Sequence, residues 1–147
     1  MGDVVRNRGH RIYRVFDHTA DLGLEIYGSD VGDLFAHAAH ALFDNIADLD
    51  TVEGIIVRDI SVSGADLQDL FINYLRALLG WFHDEDFIVR DVTIHAITGT
   101  HVAGTATGER FDPRTHTIRH EIKAVTYHMA EVAEVPGGWR GRVILDV

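Results

Sequence analysis

Two carboxylates and an imidazole lie within five residues near the start of the chain, in the run Asp17 to Asp21, which reads DHTAD. Apolar segments on both sides, Ile12 to Phe16 and Leu22 to Tyr27, are typical of strands, so the run is predicted to connect them. Titratable groups on a short loop between rigid strands are a common arrangement in cation sites. The same composition is also typical of a turn capped by its own side chains, so both interpretations stay open.

A second group of carboxylates lies at the other end of the sequence. Asp146 is the penultimate residue, and Val147 carries the terminal main-chain carboxylate. A strand predicted over Trp139 to Asp146 follows the turn signal at Pro136 to Gly138 and can bring Asp146 back beside Asp21. Three such anions repel one another unless a cation or protons neutralise them. Their oxygen atoms suit a hard ion such as Ca²⁺ or Mg²⁺.

The composition excludes several classes of function. A chain of 147 residues with 46% hydrophobic content fits one domain with a substantial core. The net charge of −10, from 13 basic and 23 acidic residues, argues against a nucleic-acid-binding surface and suits cations or a basic protein partner. The absence of cysteine excludes disulfides, thiolate chemistry and zinc-finger sites.

Helical and strand patterns occupy different parts of the chain. Apolar residues recur at helical spacing over Ser29 to about Ala47 and over Asp66 to Phe82. Further strands are predicted at Gly54 to Val62, Phe87 to Ile97, His101 to Thr107, Val125 to Val135 and Trp139 to Asp146. Helices grouped early and strands grouped late predict an α+β fold, a single domain in which two helices cover a mixed or antiparallel β-sheet.

The N-terminal segment Met1 to Arg11 is polar and lacks the apolar stretch of a signal peptide or membrane anchor. No apolar run in the sequence approaches membrane-spanning length. We therefore expect a flexible tail over residues 1–11, a folded domain over residues 12–147, and a soluble cytoplasmic protein.

Several segments, taken in order, resemble the archease family. They are the run Asp17 to Asp21 with its continuation Leu22 to Gly28, the helix opening Asp66 to Phe71, the segment Glu121 to His128, and Trp139 with the terminal Val143 to Val147. The resemblance covers Tyr13 to Val147. It implies the archease fold and the role of a protein activator of the RtcB-type tRNA-splicing ligase. Such an activator promotes guanylylation of the ligase active-site histidine and restores multiple turnover, and it is not itself an enzyme.

The resemblance also implies a metal site. The family's ligands fall on Asp21, on Asp146 and on the terminal Val147. The implied cofactor is a divalent cation, Ca²⁺ first, with Mg²⁺ or Mn²⁺ as alternatives. Three further residues are expected to support the ligands through hydrogen bonds: Asp17, His18 and His128.

Lys123 is the residue through which the resemblance implies activation of the ligase. It is the sole lysine of the sequence, and its compact ammonium suits a triphosphate or an acidic patch on a partner. The alternative is a surface ion pair with Glu121 or Glu109, worth roughly 0–1 kcal/mol. The implied partner is the RtcB-type ligase, with tRNA contacted only through it, and neither a membrane nor DNA is expected as a partner.

Two other function classes stay open from the sequence. A metal-dependent hydrolase could use the Asp17–Asp21 loop together with His116 or His128, but it needs an open coordination position and an aimed general base. The sequence supplies no nucleophile motif and no phosphate-cradling glycine loop. A chaperone-like module of RNA processing is the other alternative, and direct RNA contact would require a continuous basic stripe on the surface.

Overall fold

The computed structural model describes residues 3–18 and 20–147, without the side chains of Asp17 and His18. Over these residues the chain forms eight strands, two α-helices and a short 3₁₀ helix at Leu49–Thr51. In chain order the elements are β1 (Val4–Asn7), β2 (His10–His18), β3 (Asp21–Gly28), α1 (Val31–Ile46), β4 (Ile56–Ser63), α2 (Leu67–Glu85), β5 (Phe87–Ile97), β6 (His101–Arg110), β7 (Ala124–Val135) and β8 (Gly138–Asp146). The helices and strands predicted from apolar spacing are all present, with ends that differ by up to about three residues.

The strands divide into two sheets. One has five strands in the order β1-β2-β3-β8-β7, and the other has three in the order β4-β6-β5. Neighbouring strands are antiparallel throughout the described part of the chain. The predicted α+β class is confirmed, but the strands form two sheets rather than one. Alternation of apolar residues shows that a segment is a strand and does not show which strand it pairs with.

The N-terminal segment forms a hairpin where the sequence predicted a tail. Strand β1 pairs with β2, and Val5 packs against the core. The turn between them contains Arg8 and Gly9, with φ of 52° and 81°. The prediction of a flexible tail is therefore wrong from Val4 onward. The turn was not predicted because arginine rarely adopts a left-handed conformation. Met1 and Gly2 lie outside the described residues.

Both helices begin at reciprocal caps. The Asp30 side chain accepts the Asp33 N–H at 2.8 Å, and the Asp33 carboxylate accepts the Ser29 N–H at 2.8 Å. Asp66 caps α2 in the same way by accepting the Asp69 N–H at 2.8 Å. Each cap satisfies amides that have no partner within the helix and contributes about 1 kcal/mol.

The core lies where the helices meet both sheets. Helix α1 contacts β3 and β5, and α2 contacts β7, β4 and β5. Phe35 of α1 packs edge-on against Phe71 of α2, with ring centroids 5.3 Å apart. The buried Tyr74 hydroxyl donates to the Phe35 carbonyl at 2.9 Å. Burial of each of these rings stabilises the fold by about 1.5–3 kcal/mol, and one core therefore holds both sheets in a single domain.

The face of the five-stranded sheet that points away from the core carries a row of alternating charges. Arg14, Glu25, Arg142 and Glu131 are cross-strand neighbours on β2, β3, β8 and β7. Arg14 Nε lies 3.2 Å from Glu25 Oε1, and Arg142 Nη2 lies 3.9 Å from Glu25 Oε2. Burial alone would raise the pKa of Glu25, but hydrogen bonds from Arg14 and Tyr27 outweigh it and lower that pKa. This row alternates in sign and so does not form a continuous basic stripe.

Candidate functional site

The strand register brings Asp21 and Asp146 together at one end of two neighbouring strands of the five-stranded sheet. Leu22 of β3 pairs with Leu145 of β8, so Asp21 and Asp146 are the next residues along the two neighbouring strands. The backbone of His18 pairs with that of Asp21 on the other side. Residues from opposite ends of the sequence therefore meet at this end of the strands, which we call the carboxylate edge.

Alternation along the strands determines which face these side chains share. Leu22 and Leu145 pack into the core, so the side chains of Asp21 and Asp146 project from the opposite, outward face of the sheet. Asp21 is half-buried and Asp146 is exposed. Val147 is 39% exposed. The site is thus open to solvent and to a partner protein.

A glycine two residues after Asp21 allows an aromatic ring to pack beside the edge. The Phe16 ring lies against Gly23, and a Cβ at position 23 would be only 2.5 Å from Phe16 Cε2. Real Cβ contacts are essentially never that short, so glycine is required for this packing. Phe16 and Gly23 are also cross-strand partners, and the ring helps to hold β2 and β3 together where the loop begins.

The donor atoms at the carboxylate edge fit a hard divalent cation. Asp21 and Asp146 provide carboxylate oxygens, and the Val147 main chain can provide a third donor of the same kind. Among the side chains that the structure describes, no three of His, Cys, Asp or Glu are grouped closely enough to hold a metal. A complete ligand set therefore needs the terminal carboxylate or a side chain of the first loop.

The predicted supporting residues are placed only in part. The Asp17 and His18 side chains lie outside the described part of the structure, so their roles stay predictions. His128 is exposed in β7, where the register with β8 shifts between Thr126 and Glu131. Its supporting role also stays a prediction.

Lys123 lies beside the carboxylate edge. Its backbone N–H donates to the Asp146 carbonyl at 2.7 Å, which fixes the start of β7 next to the end of β8. Among the residues that the structure describes, its ammonium has no hydrogen bond or ion pair, and Glu109 is paired with His116 instead. The surface pairing of Lys123 with Glu121 or Glu109 is therefore not formed.

Two further basic side chains share a groove with Lys123. The groove has a volume of about 340 Å³ and runs between α2 and the start of β7. Arg76 Nε donates to the Val125 carbonyl at 2.9 Å, and His83 Nε2 donates to the Ile122 carbonyl at 2.8 Å. The sequence did not predict this grouping, because two of its members come from a helix far from Lys123 in the chain.

Tyr127 extends the basic groove along α2. The Arg76 guanidinium lies 4.6 Å from the centroid of the Tyr127 ring, and the Tyr127 hydroxyl donates to Asp69 Oδ1 at 2.5 Å. This hydrogen bond raises the pKa of Tyr127 and lowers the pKa of Asp69. Asp69 and Arg76 are seven residues apart on one helical face, a spacing that could have indicated a shared surface.

One of the two histidines named for the hydrolase alternative, His116, is bound within its own loop. His116 is only 4% exposed. Its Nδ1 accepts the Asp112 N–H at 2.8 Å, and its Nε2 is bound to Glu109. Because both ring nitrogens are already used, His116 has a structural role in the loop after β6. No described contact joins it to the carboxylate edge.

A family model and individual relatives identify the same protein family. Residues 13–147 match the Archease protein family (MTH1598/TM1083). The protein archease of Pyrococcus abyssi is 35% identical over 136 residues, which cover 90% of this chain and 96% of the relative. That of Pyrococcus furiosus is 36% identical, with coverage of 93% and 99%.

Solved structures agree with these relatives. The solution structure of Methanobacterium thermoautotrophicum protein 1598 superposes with a TM-score of 0.78 at 35% identity, covering 92% of this chain and 98% of that one. A Thermotoga maritima structure described as an archease and possible chaperone has a TM-score of 0.61 at 18% identity, covering 90% and 94% of the two chains. At that identity the second likeness concerns the fold alone. Neither described helix is long and apolar enough to cross a membrane.

Proposed function

Because the chain belongs to the archease family, we propose that it is a protein activator of an RtcB-type tRNA-splicing ligase. In this role it promotes guanylylation of the ligase active-site histidine, restores multiple turnover, and catalyses no reaction itself. The observation that carries the proposal is the meeting of Asp21, Asp146 and Lys123 at one sheet edge. These are the residues on which the resemblance places the family's function.

The proposed cofactor is a divalent cation held by Asp21, Asp146 and the Val147 carboxylate. Ca²⁺ is the first candidate, and Mg²⁺ or Mn²⁺ are alternatives, since all three accept oxygen ligands. When bound, the ion supplies positive charge that offsets the repulsion between these carboxylates. The chain's own contribution is the strand register, which keeps the two aspartates on one face of the sheet.

The proposed contact with the ligase is the basic groove of Lys123, Arg76 and His83. In a chain of net charge −10, a groove with three groups that can carry positive charge favours an acidic patch or a phosphate group on the partner. The Lys123 ammonium has no ion pair with a described residue, and its compact charge suits such a group. We propose that tRNA is contacted only through the ligase and that the protein acts in the cytoplasm.

A ligation assay tests the proposal directly. Limiting RtcB-type ligase from the same organism is incubated with broken RNA, GTP and divalent ion, with and without this protein. We expect the protein to convert a few turnovers into many and to speed formation of the ligase–GMP adduct. The protein without ligase should join no RNA. An adduct rate that the protein leaves unchanged would reject the proposed function.

A further inference from the structure

A second cavity lies at the opposite edge of the five-stranded sheet from the carboxylate edge. Its volume is about 430 Å³, within the range of roughly 300–1,000 Å³ typical of small-molecule sites. The turn between β1 and β2 forms one wall, and the turn between β7 and β8 forms another. Two residues of α1, Asp33 and His37, also line the cavity.

Two arginines give this cavity an excess of positive charge. Arg8 has no hydrogen bond or ion pair to any residue that the structure describes. The Arg11 guanidinium is stacked over the Tyr27 ring at 4.2 Å, which fixes its position and leaves its N–H groups available. Arg8 in the turn and Arg11 at the start of β2 both line the cavity, and two guanidinium groups in one cavity suit an anion.

The single carboxylate in the cavity wall is already occupied. Asp33 Oδ2 accepts the Ser29 N–H at 2.8 Å and the Ser29 hydroxyl at 3.1 Å. Its Oδ1 lies 3.3 Å from Nε2 of His37. These contacts hold the Asp33 carboxylate at the start of α1, and among the described residues no ion pair joins it to Arg8 or Arg11.

The cavity lining also includes an aromatic residue, Trp139. Trp139 is half-buried, lines the cavity and follows the Pro136 to Gly138 turn. Gly137 has φ of 85°, and a Cβ there would meet nothing within 4 Å, so the mouth stays open on this side. An indole next to open space is suited to stacking with a planar ring.

We propose that this cavity binds a nucleoside 5′-monophosphate, with its phosphate on Arg8 and Arg11 and its base against Trp139. The volume exceeds what a free phosphate needs, and the remaining space beside Trp139 can hold the base. A long polyanion fits less well, because the chain as a whole carries a net charge of −10. The site is separate from the carboxylate edge and does not depend on the proposed ligase activation.

The two tryptophans of the chain provide the test. Trp81 packs against Phe87 and Arg58, with centroid distances of 5.8 and 4.4 Å, and does not line the cavity. The ¹⁵N-labelled protein, without ligase, is titrated with AMP and GMP while both indole N–H resonances are followed. We expect a saturable shift at Trp139 and none at Trp81. Inorganic phosphate and adenosine, titrated separately, should each bind at least about tenfold more weakly than AMP.

Two charge-removing variants and a matched control complete the experiment. Arg8→Gln and Arg11→Gln should each weaken AMP binding by about tenfold or more, whereas Arg114→Gln, an exposed site paired within its own turn with Asp112, should not. Arg8 has no described side-chain contact, so its variant is expected to fold normally. No saturable shift, equal binding of phosphate and AMP, or unchanged affinity in Arg8→Gln would overturn the proposal. Tighter binding of a single-stranded oligonucleotide than of AMP would overturn it in favour of an RNA surface.

Discussion

At the scale of single residues, the candidate site separates negative from positive charge across one sheet edge. Asp21 and Asp146 project from the outward face of the sheet, whereas Lys123 lies in the groove against α2. Ion binding and partner binding are therefore predicted to depend on different side chains, although the Lys123 N–H is bound to the Asp146 carbonyl. The resulting predictions can be tested one residue at a time.

The first prediction concerns the two aspartates. Asp21→Asn and Asp146→Asn should each lower the affinity for Ca²⁺ at least about tenfold, or about 1.4 kcal/mol, because each loses an anionic ligand. Activation of the ligase should fall in parallel. Calorimetric titration measures the affinity, with the exposed Asp59→Asn on β4 as the matched control. Equal affinity in all four proteins would show that the ion binds elsewhere.

Lys123 is predicted to matter for activation alone. Lys123→Gln should reduce ligase activation while changing Ca²⁺ affinity little and the free energy of unfolding by no more than about 0.5 kcal/mol, because its ammonium has no described partner to lose. Activation assays, ion titration and urea unfolding separate the three effects. A variant that activates normally would remove Lys123 from the proposed contact, and Lys123→Arg tests whether charge alone is sufficient.

At the scale of elements, the five-stranded sheet is tied together across its outward face by the row of Arg14, Glu25, Arg142 and Glu131. Sequence periodicity predicted the strands that carry this row, and it predicted both helices. It could not predict β1, whose residues Val4 to Asn7 are too few to show a pattern. It also could not assign β4, β5 and β6 to a separate sheet, because pairing depends on packing between elements distant in sequence.

Glu25 is the residue of this row whose loss should cost most. Glu25→Gln should lower the free energy of unfolding by about 1–3 kcal/mol at neutral pH, since Arg14 and Arg142 lose their shared carboxylate. Because the pKa of Glu25 is lowered in the folded state, its contribution is complete above the pH at which a free glutamate titrates. It is lost as the pH falls through the folded pKa.

Urea unfolding at several pH values measures this effect. The difference between the parent and Glu25→Gln should shrink in the acid range, while the exposed Glu134→Gln should differ little from the parent at any pH. A difference that persists unchanged in acid would mean that the charge of Glu25 is not the cause.

At the scale of the whole molecule, the two ends of the sheet differ in chemistry. Carboxylates gather at one edge and arginines with aromatic rings at the other, although both edges are built from the same strands. The sequence indicated the first edge, because Asp21 and Asp146 flank strands that a terminal hairpin could bring together, and the family resemblance named the same residues. It gave no indication of the second, which depends on the unpredicted turn at Arg8 and Gly9.

A C-terminal extension is predicted to be harmful because of where it would emerge. A short Gly-Ser segment added after Val147 removes the terminal charge from the carboxylate edge and should lower both Ca²⁺ affinity and ligase activation. The same segment inserted at Gly99, in the exposed turn between β5 and β6, should be tolerated, since a Cβ there meets nothing within 4 Å. Full activity of the extended protein would show that side chains alone bind the ion and that the terminal carboxylate is not a ligand.

The position of β8 also has a consequence for biosynthesis. It follows every other described strand in the sequence, yet it lies between β3 and β7 in the finished sheet. A ribosome delivers the chain from its N-terminus, so β3 and β7 keep unpaired edges until β8 has been made. During that interval the sheet cannot close and its core-facing side chains remain uncovered. The strand that closes the sheet, β8, therefore also brings Asp146 to the carboxylate edge, so the sheet and this edge are completed together.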